Sequence, residues 1–541
     1  MSATPPAGSD QPPAFKNAAE CVDWLAKVPL TDAVQAQAMF LRQVNLLNRY
    51  TTLAAGERLD ILELLRDAIH EAQEGFSRKF AGKPLPLTPP EQAAFESCRA
   101  LWHALATGYM RCTEACFAGA ADMKPRAALV VQRALAALAA EQFETHRAGQ
   151  MPTPDHWRVL HQLYAAAEQL GAADQEVPDT PRLGRTPDSA TAAYVEALLL
   201  AAASLHEHGQ RQIAWVARWA RRWAAKVRVL SAPPTLSTQA IPLCVDLASD
   251  RPAGFRPLTT EGARFLETAE LRRSLRKRLT MLEQGESPAK LNLGEDCTQP
   301  ACEQLLKHVY QRWCKGGAIR GFERRAADGD CRFIAGFEAI HYYLSDRKPF
   351  KQPSGSDTDM LRREREEIAT FGRISTHRDE NFSEQHAYAI EEWQMLENWH
   401  MVDASATGMR ISRPVRQSGI RIAHGQLVAA CPADAQSFLL GCVRWALVSD
   451  ALQVGVYFFP GRPEPVALRG AGPGAASEKY RQAFLLPAVA ALNQEASVVM
   501  PVGNFKLGKT VEVLAGQTRR LNLTRLIERG ADYERAAYAP A

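Results

Sequence analysis

Residues 393–412 read WQMLENWHMVDASATGMRIS, and this stretch decides the fold of the second half of the chain. Its β-prone residues predict strands over Trp393–Val402 and Gly408–Ser412. Between them, Asp403–Gly408 has the pattern DxSxxG, which is typical of a tight reversal. The Asp and Ser side chains can bond nearby backbone NH groups or a ligand, and the Gly permits a backbone angle closed to other residues. The stretch therefore predicts a strand–turn–strand unit.

Further short β-rich runs follow Gly316, with Gly, Pro or Asp residues between them. They are Cys331–Leu344, Gln426–Ala430, Phe438–Ala446, Leu452–Phe459, Ser497–Met500, Thr510–Leu514 and Arg520–Leu523. Their spacing of roughly ten residues is typical of an antiparallel barrel or sandwich. The charged stretch Ser345–Gln385 has almost no apolar periodicity and predicts a polar, mobile insertion into this β structure.

Two further patterns flank the DxSxxG turn. Upstream, Arg320–Arg325 reads RGFERR, an RxxxR pattern with an additional arginine, in a polar loop before the first predicted strand. Downstream, Gly441–Trp445 (GCVRW) and Val454–Phe458 (VGVYF) predict the two strands of a hairpin.

This combination resembles the PilZ domain family over about Ala318–Arg469. PilZ domains are bacterial receptors for cyclic di-GMP, so the resemblance implies a β-barrel that binds this ligand. In the family, the RxxxR arginines grip the phosphates and guanine edges of the dinucleotide, and the DxSxxG residues line the other side of the site. Carried over by position, the ligand-binding candidates are Arg320, Arg324, Arg325, Asp403, Ser405 and Gly408.

The chemistry of these residue types fits a doubly anionic purine ligand. Guanidinium groups fork to phosphate oxygens, bond guanine O6 and N7, and stack on base faces, while a carboxylate accepts from guanine NH groups. Arg324 and Asp403 are 79 positions apart, and the polar insertion accounts for much of that separation. The sequence leaves open whether Arg320 and Arg324 form the pair or whether Arg325 replaces one of them.

The first half of the chain has a different character. From about Asn17 to Val227, apolar residues recur at helical spacing in an Ala- and Leu-rich background, with Pro and Gly clusters between the helices. One such break, Val177–Pro187, is expected to be a surface loop. The predicted fold is multidomain α+β: a disordered tail (1–16), an α-helical domain (17–228), a mixed connecting region (229–315), a PilZ-like antiparallel β-barrel with its insertion (316–470) and a β-rich C-terminal extension (471–541).

Composition narrows the class of protein. The chain has 541 residues and 46% hydrophobic content, enough for two or three domains, and its net charge of +4 gives no global case for nucleic-acid binding. The eleven cysteines form no CxxC pair, which argues against a disulfide framework or a zinc site. Met1–Pro13 lacks a secretion signal, and the apolar run Ala190–Leu205 is short for a membrane span. We expect a cytoplasmic protein without a membrane span.

Gly503–Thr510 matches GxxxxGK[ST], the phosphate-binding loop of nucleoside triphosphatases. Such a loop needs a helix directly after it, because the NH groups of the helix N-terminus face the phosphates. Here Val511–Gly516 follows, which is β-branched and ends in Gly. The context predicts a strand–turn–strand element, and a P-loop hydrolase is the least favoured of the functions considered.

Three other groups have structural interpretations that we prefer. Trp215, Trp219 and Trp223 form one helical stripe, which predicts a core-facing surface rather than a docking face. Arg272–Arg278 is predicted to be a basic helical segment, and we expect its charged side chains to face solvent. His206–His208 reads His-Glu-His, which on a helix splays its imidazoles apart and argues against metal binding. No catalytic grouping, metal site or cofactor is predicted.

The sequence therefore predicts a bacterial cyclic di-GMP receptor, not an enzyme, that passes ligand binding at its barrel to a protein partner through the helical half. No nucleic-acid partner is expected. The alternative is an interaction scaffold whose PilZ-like barrel binds no nucleotide.

Overall fold

The structure is a computed structural model that describes residues 12–184, 186–234, 242–316, 323–353, 396–433, 435–471 and 478–541. The chain divides into two units, and each is treated by itself. The helical unit comprises residues 1–83 and 87–320, and the barrel unit comprises residues 84–86 and 321–541. The prediction of a helical first half followed by an antiparallel β-barrel is confirmed.

The helical unit contains eleven of the helices in the described part of the chain. They are α1 (Ala18–Leu25), α2 (Ala33–Arg49), α3 (Ala55–Ser77), α4 (Pro89–Phe117), α5 (Ala127–Arg147), α6 (Pro154–Gln169), α7 (Thr180–Leu183), α8 (Ala190–Ala202), α9 (Gln210–Trp223), α10 (Ala269–Glu283) and α11 (Ala301–Cys314). Side chains cap several N-termini, as where Thr88 and Glu91 form a capping box on α4. No described helix is long and apolar enough to cross a membrane.

The helices pack around one apolar core that reaches further toward the N-terminus than predicted. Phe15 is fully buried, and its ring lies 5.3 Å from that of Trp24. The backbone NH of Ala14 also donates to Gln43 Oε1. The disordered tail predicted for residues 1–16 is therefore wrong for its last residues, because an aromatic side chain anchors them. Residues 1–11 lie outside the described part of the chain.

Four short strands between Arg228 and Glu267 form a small antiparallel sheet of the helical unit. Its strands are β3 (Arg228–Leu230), β4 (Leu243–Asp246), β5 (Gly254–Phe255) and β6 (Ala263–Glu267), in the order β3-β6-β4-β5. Leu243, Val245 and Leu266 join the core of the helices, as does the buried face of α10. The region predicted as a connection is thus an integral part of this unit.

The tryptophan stripe of α9 faces the core, as predicted. Trp215, Trp219 and Trp223 are each at most 2% exposed, and Trp219 Nε1 donates to the carbonyl of Leu293 at 2.8 Å.

All eleven cysteines of the chain are buried, and none forms a disulfide.

The segment predicted as a surface loop, Val177–Pro187, instead has buried side chains that form ion pairs inside the helical unit. β1 (Val177–Pro178) and β2 (Pro187–Asp188) pair across the short helix α7. Arg182 Nη1 lies 2.9 Å from Asp179 Oδ2 and 3.0 Å from Asp188 Oδ2, and all three side chains are at most 4% exposed. Arg182 also pairs with Glu196 of α8, and Asp179 pairs with Arg66 of α3. The prediction failed because charged, Pro-rich sequence is normally solvated, whereas here the charges satisfy one another.

The carboxyl group of Asp179 is charged within this network. Burial alone would raise the pKa of its carboxyl group, but Arg182 and Arg66 outweigh that effect and hold the pKa well below its usual range. A carboxylate with a lowered pKa stabilises the fold above the pKa of the unfolded chain, and that contribution is lost as the pH falls through the folded-state pKa. Asp179 is therefore charged at neutral pH.

The first barrel of the barrel unit has six antiparallel strands and is closed. They are β7 (Arg325–Ala335), β8 (Glu397–Ser405), β9 (Gly408–Pro414), β10 (Leu427–Pro432), β11 (Leu439–Val448) and β12 (Ala451–Phe458), in the order β10-β11-β12-β9-β8-β7, with β10 also paired to β7. Residues 84–86 belong to this unit because Leu85 exchanges two backbone hydrogen bonds with Ile422. Residues 354–395, most of the predicted polar insertion, lie outside the described residues, as does the start of the predicted strand Trp393–Val402.

The predicted strand Cys331–Leu344 is wrong in its second half. β7 ends at Ala335, Gly336 adopts φ 96°, and α12 (Phe337–Leu344) follows. The ring of Phe337 packs 5.1 Å from that of Phe484. The apolar residues of this run lie on one helical face. The stretch is so short that its apolar pattern is compatible with both a helix and a strand.

The predicted C-terminal extension is a second closed barrel. Its strands are β13 (Glu464–Gly470), β14 (Arg481–Leu486), β15 (Ser497–Pro501), β16 (Thr510–Ala515), β17 (Gln517–Arg529) and β18 (Tyr533–Pro540), in the order β13-β14-β15-β18-β17-β16, and β13 closes on β16. Its first strand lies before residue 471, within the range predicted for the first barrel. Small, frequent turns separate strands of both barrels, so the sequence did not show where one barrel ends.

The P-loop-like sequence Gly503–Thr510 connects β15 to β16. Its backbone NH groups at Asn504 and Phe505 donate to Glu534 Oε2 at 3.0 and 2.8 Å. Glu534 is fully buried, and Arg529 Nη2 lies 2.6 Å from its other carboxylate oxygen. Two NH groups of this loop are thus bonded to a carboxylate of the protein itself, and a strand follows where a P-loop needs a helix.

We predict that Asp179→Asn destabilises the helical unit by about 3–5 kcal/mol, because the change leaves the buried guanidinium group of Arg66 without its paired carboxylate and removes one of the three carboxylates that pair with Arg182. Urea unfolding at neutral pH, followed by circular dichroism, measures this loss.

The matched control is Asp155→Asn. Asp155 pairs with Arg158, but its side chain is 80% exposed, so the change should alter stability by no more than about 0.5 kcal/mol. Equal effects of the two substitutions would show that the buried network does not stabilise the unit.

Candidate functional site

The candidate site lies on the outside of the first barrel, where β7 begins and β8 turns into β9. Arg324 Nη1 donates to Asp403 Oδ1 at 2.6 Å, and Arg410 Nε lies 2.9 Å from Asp403 Oδ2. The Asp403 side chain is 16% exposed, and the two arginine side chains are 31% and 36% exposed. One carboxylate therefore holds two guanidinium groups that still face solvent.

Irregular strand pairing aims Asp403 at this position. The register of β8 against β9 shifts between Met401 and Asp403, and that of β7 against β8 shifts between Ala326 and Gly329. Bulges of this kind re-aim side chains and are common beside functional sites. Beyond the shift, Asp403 stands opposite Ala326 on one side and Arg410 on the other.

A row of directly opposed residues extends from Asp403 across the barrel surface. Arg410 of β9 is paired with Gly455 of β12, and Gly455 is paired with Trp445 of β11. Directly opposed residues share a face of the sheet. A Cβ atom on Gly455 would lie 2.0 Å from Trp445 Nε1, so the indole lies over this glycine. The row places a carboxylate, a guanidinium group and a half-buried indole side by side.

Ser405 and Gly408 close the turn between β8 and β9. Ser405 Oγ donates to the carbonyl of Gly408 at 3.2 Å, and the two residues are paired in the ladder. Gly408 does not need the backbone freedom expected from sequence, since its φ is not in the left-handed region. It is required because a Cβ atom there would lie 2.4 Å from the carbonyl oxygen of Val456. Close approach of β12 explains this glycine.

Two of the three arginines predicted from the RGFERR sequence lie in the described part of the chain. Of these two, Arg324 reaches Asp403. Arg325 is exposed and begins β7 opposite Ala404, so it falls on the alternate face of the strand from the Asp403 row. Arg320 lies outside the described residues, and its role stays a prediction.

The charges of the site favour an anionic ligand. Two guanidinium groups face one carboxylate, which leaves a local excess of positive charge, and both arginines retain NH groups that the carboxylate does not use. Phosphate oxygens are suitable acceptors for such groups. Within the described ranges, no cluster of three His, Cys, Asp or Glu side chains could hold a metal ion.

Sequence reasoning missed Arg410 and Trp445 as site residues. Arg410 stands two positions after the glycine of DxSxxG, where strand alternation returns a side chain to the outer face of the barrel. Trp445 closes the GCVRW sequence, but which strand it would neighbour depends on closure of the barrel. The alternation of side chains along β9 could have identified Arg410 as a residue of the outer face. The position of Trp445 could not be predicted without knowing that β11 pairs with β12.

Three family models match the chain in order. They are described as "Cyclic-di-GMP receptor FimW, N-terminal domain" (residues 19–234), "Cyclic-di-GMP receptor FimW, middle PilZ domain" (residues 243–396) and "FimW C-terminal beta-barrel domain" (residues 466–541). The last match begins within β13 and so covers the second barrel. The middle match includes Arg320–Arg325 and ends just before β8, so Asp403 lies beyond it.

A curated relative agrees with these matches. The protein named "Cyclic-di-GMP receptor FimW" from Pseudomonas aeruginosa is 26% identical over 556 aligned positions, which cover 93% of this chain and 87% of the relative. No solved structure matches the chain. The middle match is to a PilZ domain and the domains matched on either side are those of the same receptor, so the resemblance to PilZ domains is confirmed.

Proposed function

We propose that this protein is a receptor for cyclic di-GMP and that the Asp403 row of the first barrel is its binding surface. The observation that carries the proposal is the pair of guanidinium groups that one carboxylate holds at the barrel surface. Cyclic di-GMP has two phosphates and two guanine bases, so its recognition needs cations, acceptors for guanine NH groups and flat apolar surfaces. The site offers all three.

Each residue of the site has a distinct task in this proposal. Arg324 and Arg410 bond phosphate oxygens or guanine O6 and N7, since a guanidinium group can fork to either. Asp403 keeps both groups at the surface and accepts from a guanine NH. Arg320, which the resemblance to PilZ domains also implicates, adds to the basic side of the site, whereas Arg325 begins on the other face of β7 and is not assigned a contact in this proposal. Ser405 and Gly408 shape the turn on which Asp403 stands.

Trp445 gives the site a surface for a base. Stacking of a base on an aromatic side chain contributes about 1–3 kcal/mol to binding. The indole rests on Gly455 and lies in the same row as Arg410, so a base on the indole would leave its phosphate near the guanidinium group.

The receptor passes its signal to a protein partner, and the helical unit provides the partner surface. Its separate core makes this unit a domain of its own, which suits a role other than ligand binding. Cyclic di-GMP is an intracellular messenger, so the proposal includes a cytoplasmic location. The function is binding without catalysis.

The double change Arg324→Ala with Arg410→Ala should weaken cyclic di-GMP binding by at least about 100-fold. Each substitution removes charge-assisted hydrogen bonds, which contribute roughly 1.5–3 kcal/mol apiece. Isothermal titration of the full-length protein with cyclic di-GMP measures the affinity.

The control is Arg525→Ala. Arg525 also belongs to an RxxxR pattern and forms an exposed ion pair with Glu495, but it lies on the second barrel. This variant should bind like wild type. Absence of binding by wild-type protein at tens of micromolar, or unchanged binding by the double variant, would contradict the proposal.

Trp445→Leu should weaken cyclic di-GMP binding by about tenfold through loss of base stacking. Gly455→Ala should give a similar loss, because the new methyl group occupies the place of the indole. Titration calorimetry gives both values, and thermal melting reports whether the variants remain folded.

Tyr480→Leu serves as the aromatic control, since Tyr480 is a half-buried residue of the second barrel beneath Arg469. Its affinity should equal that of wild type. Should folded Gly455→Ala and Trp445→Leu proteins bind with undiminished affinity, the indole would not be a stacking surface.

A further inference from the structure

The barrel unit contains a second arginine-lined cavity, away from the Asp403 row. It has a volume of about 710 Å³ and lies between α12, the approach to β11 and the approach to β13. Arg332, Arg347 and Arg462 line it, together with the rings of Tyr343 and Phe438. Arg332 is eight residues along β7 from Arg324, which corresponds to about 25 Å of strand. We call this the inter-barrel cavity.

Among the residues that the structure describes, the arginines of the inter-barrel cavity form no ion pair. Asp346 and Glu464 line the same cavity, yet neither forms an ion pair with any of these arginines in the described ranges. Three guanidinium groups against two carboxylates leave the lining with a net positive charge, which favours an anion in the cavity. The side chains are exposed and accessible to a ligand.

One wall of the cavity is already organised. The guanidinium carbon of Arg332 lies 5.4 Å from the centre of the Phe438 ring, and Arg332 Nη2 lies 3.0 Å from Cys431 Sγ. The rings of Tyr343 and Phe438 are 5.9 Å apart. Apolar rings beside a fixed cation suit a ligand that joins a planar base, which packs on the rings, to an anionic group, which pairs with the cation.

The backbone that carries Arg347 is held in an unusual conformation. Asp346 and Arg347 have φ angles of 55° and 59°, so two consecutive residues other than glycine adopt the left-handed region. The NH of Arg347 donates to the carbonyl of Tyr342 at 2.9 Å and closes the end of α12. Such residues are rare outside turns and cluster at ligand-binding positions. The turn places Arg347 at the rim of the cavity.

We propose that the inter-barrel cavity is a second binding site, for a nucleoside phosphate. Its volume is within the range of small-molecule sites. The rings receive the planar base, and the guanidinium groups receive the phosphate. The source of the ligand is either a mononucleotide or a second cyclic di-GMP molecule, and both present the same chemistry. This site does not depend on the function proposed for the Asp403 row.

The test uses full-length protein and the variant Arg347→Ala with Arg462→Ala. Titration calorimetry with GMP and with cyclic di-GMP should show at least a tenfold loss of affinity for the ligand of this cavity. The variant Arg324→Ala with Arg410→Ala should keep that binding unchanged. A single exposed change, Arg416→Ala, is the matched control, and thermal melting establishes that each variant is folded.

The outcomes separate the two ligand sources and the two sites. If GMP binds to the cavity, the ligand is a mononucleotide. If cyclic di-GMP binds to two classes of sites and Arg347→Ala with Arg462→Ala removes one class, the ligand of the cavity is the dinucleotide. Phe438→Leu should weaken nucleotide binding while leaving any binding of inorganic phosphate unchanged. The proposal is overturned if neither nucleotide binds outside the Asp403 row at millimolar concentration, if Arg347→Ala with Arg462→Ala has no effect, or if inorganic phosphate binds as tightly as GMP.

Discussion

The carboxylate of Asp403 is the group on which the candidate site depends, because it holds Arg324 and Arg410 close together on one barrel face. Without it, the two guanidinium groups would repel each other and turn toward solvent. With it, both remain near their binding positions while keeping unused NH groups, so a ligand loses less side-chain entropy on binding. A phosphate has the same sign of charge as the carboxylate and can share these donors without any change in the barrel.

Glycines determine how closely the strands of this barrel approach one another. A Cβ atom would lie 2.4 Å from a backbone oxygen at Gly408 and 2.2 Å from one at Gly441, and at Gly455 it would meet the Trp445 indole. The same close packing that closes the barrel therefore forms the flat surface beside Arg410. The scaffold and the binding surface cannot be separated, since a larger side chain at Gly455 alters the indole without touching a charged residue.

The part of the site that sequence could predict is the part encoded locally. The turn at Asp403 and the arginines before β7 are short patterns, so both could be identified in the sequence. The association of Arg410 and Trp445 with them depends on pairing β9 with β12 and β12 with β11, which is information spread over the whole barrel. The error over α12 has the opposite origin, because its eight residues are too few to separate a helical from an extended period.

Whether an arginine of this chain has a structural or a ligand-binding role depends on its pairing with carboxylates rather than on the number of charges. In the helical unit, Arg182 is surrounded by Asp179, Asp188 and Glu196, and this buried set joins a short loop to two helices. Full compensation makes such a network structural, since no charge is left for a ligand. On the barrel unit, by contrast, guanidinium groups exceed the carboxylates that hold them, both at Asp403 and in the inter-barrel cavity. A net charge of +4 conceals this difference, because compensated and uncompensated arginines contribute equally to the sum. An anionic ligand therefore gains most beside those arginines whose charge the described carboxylates do not fully compensate.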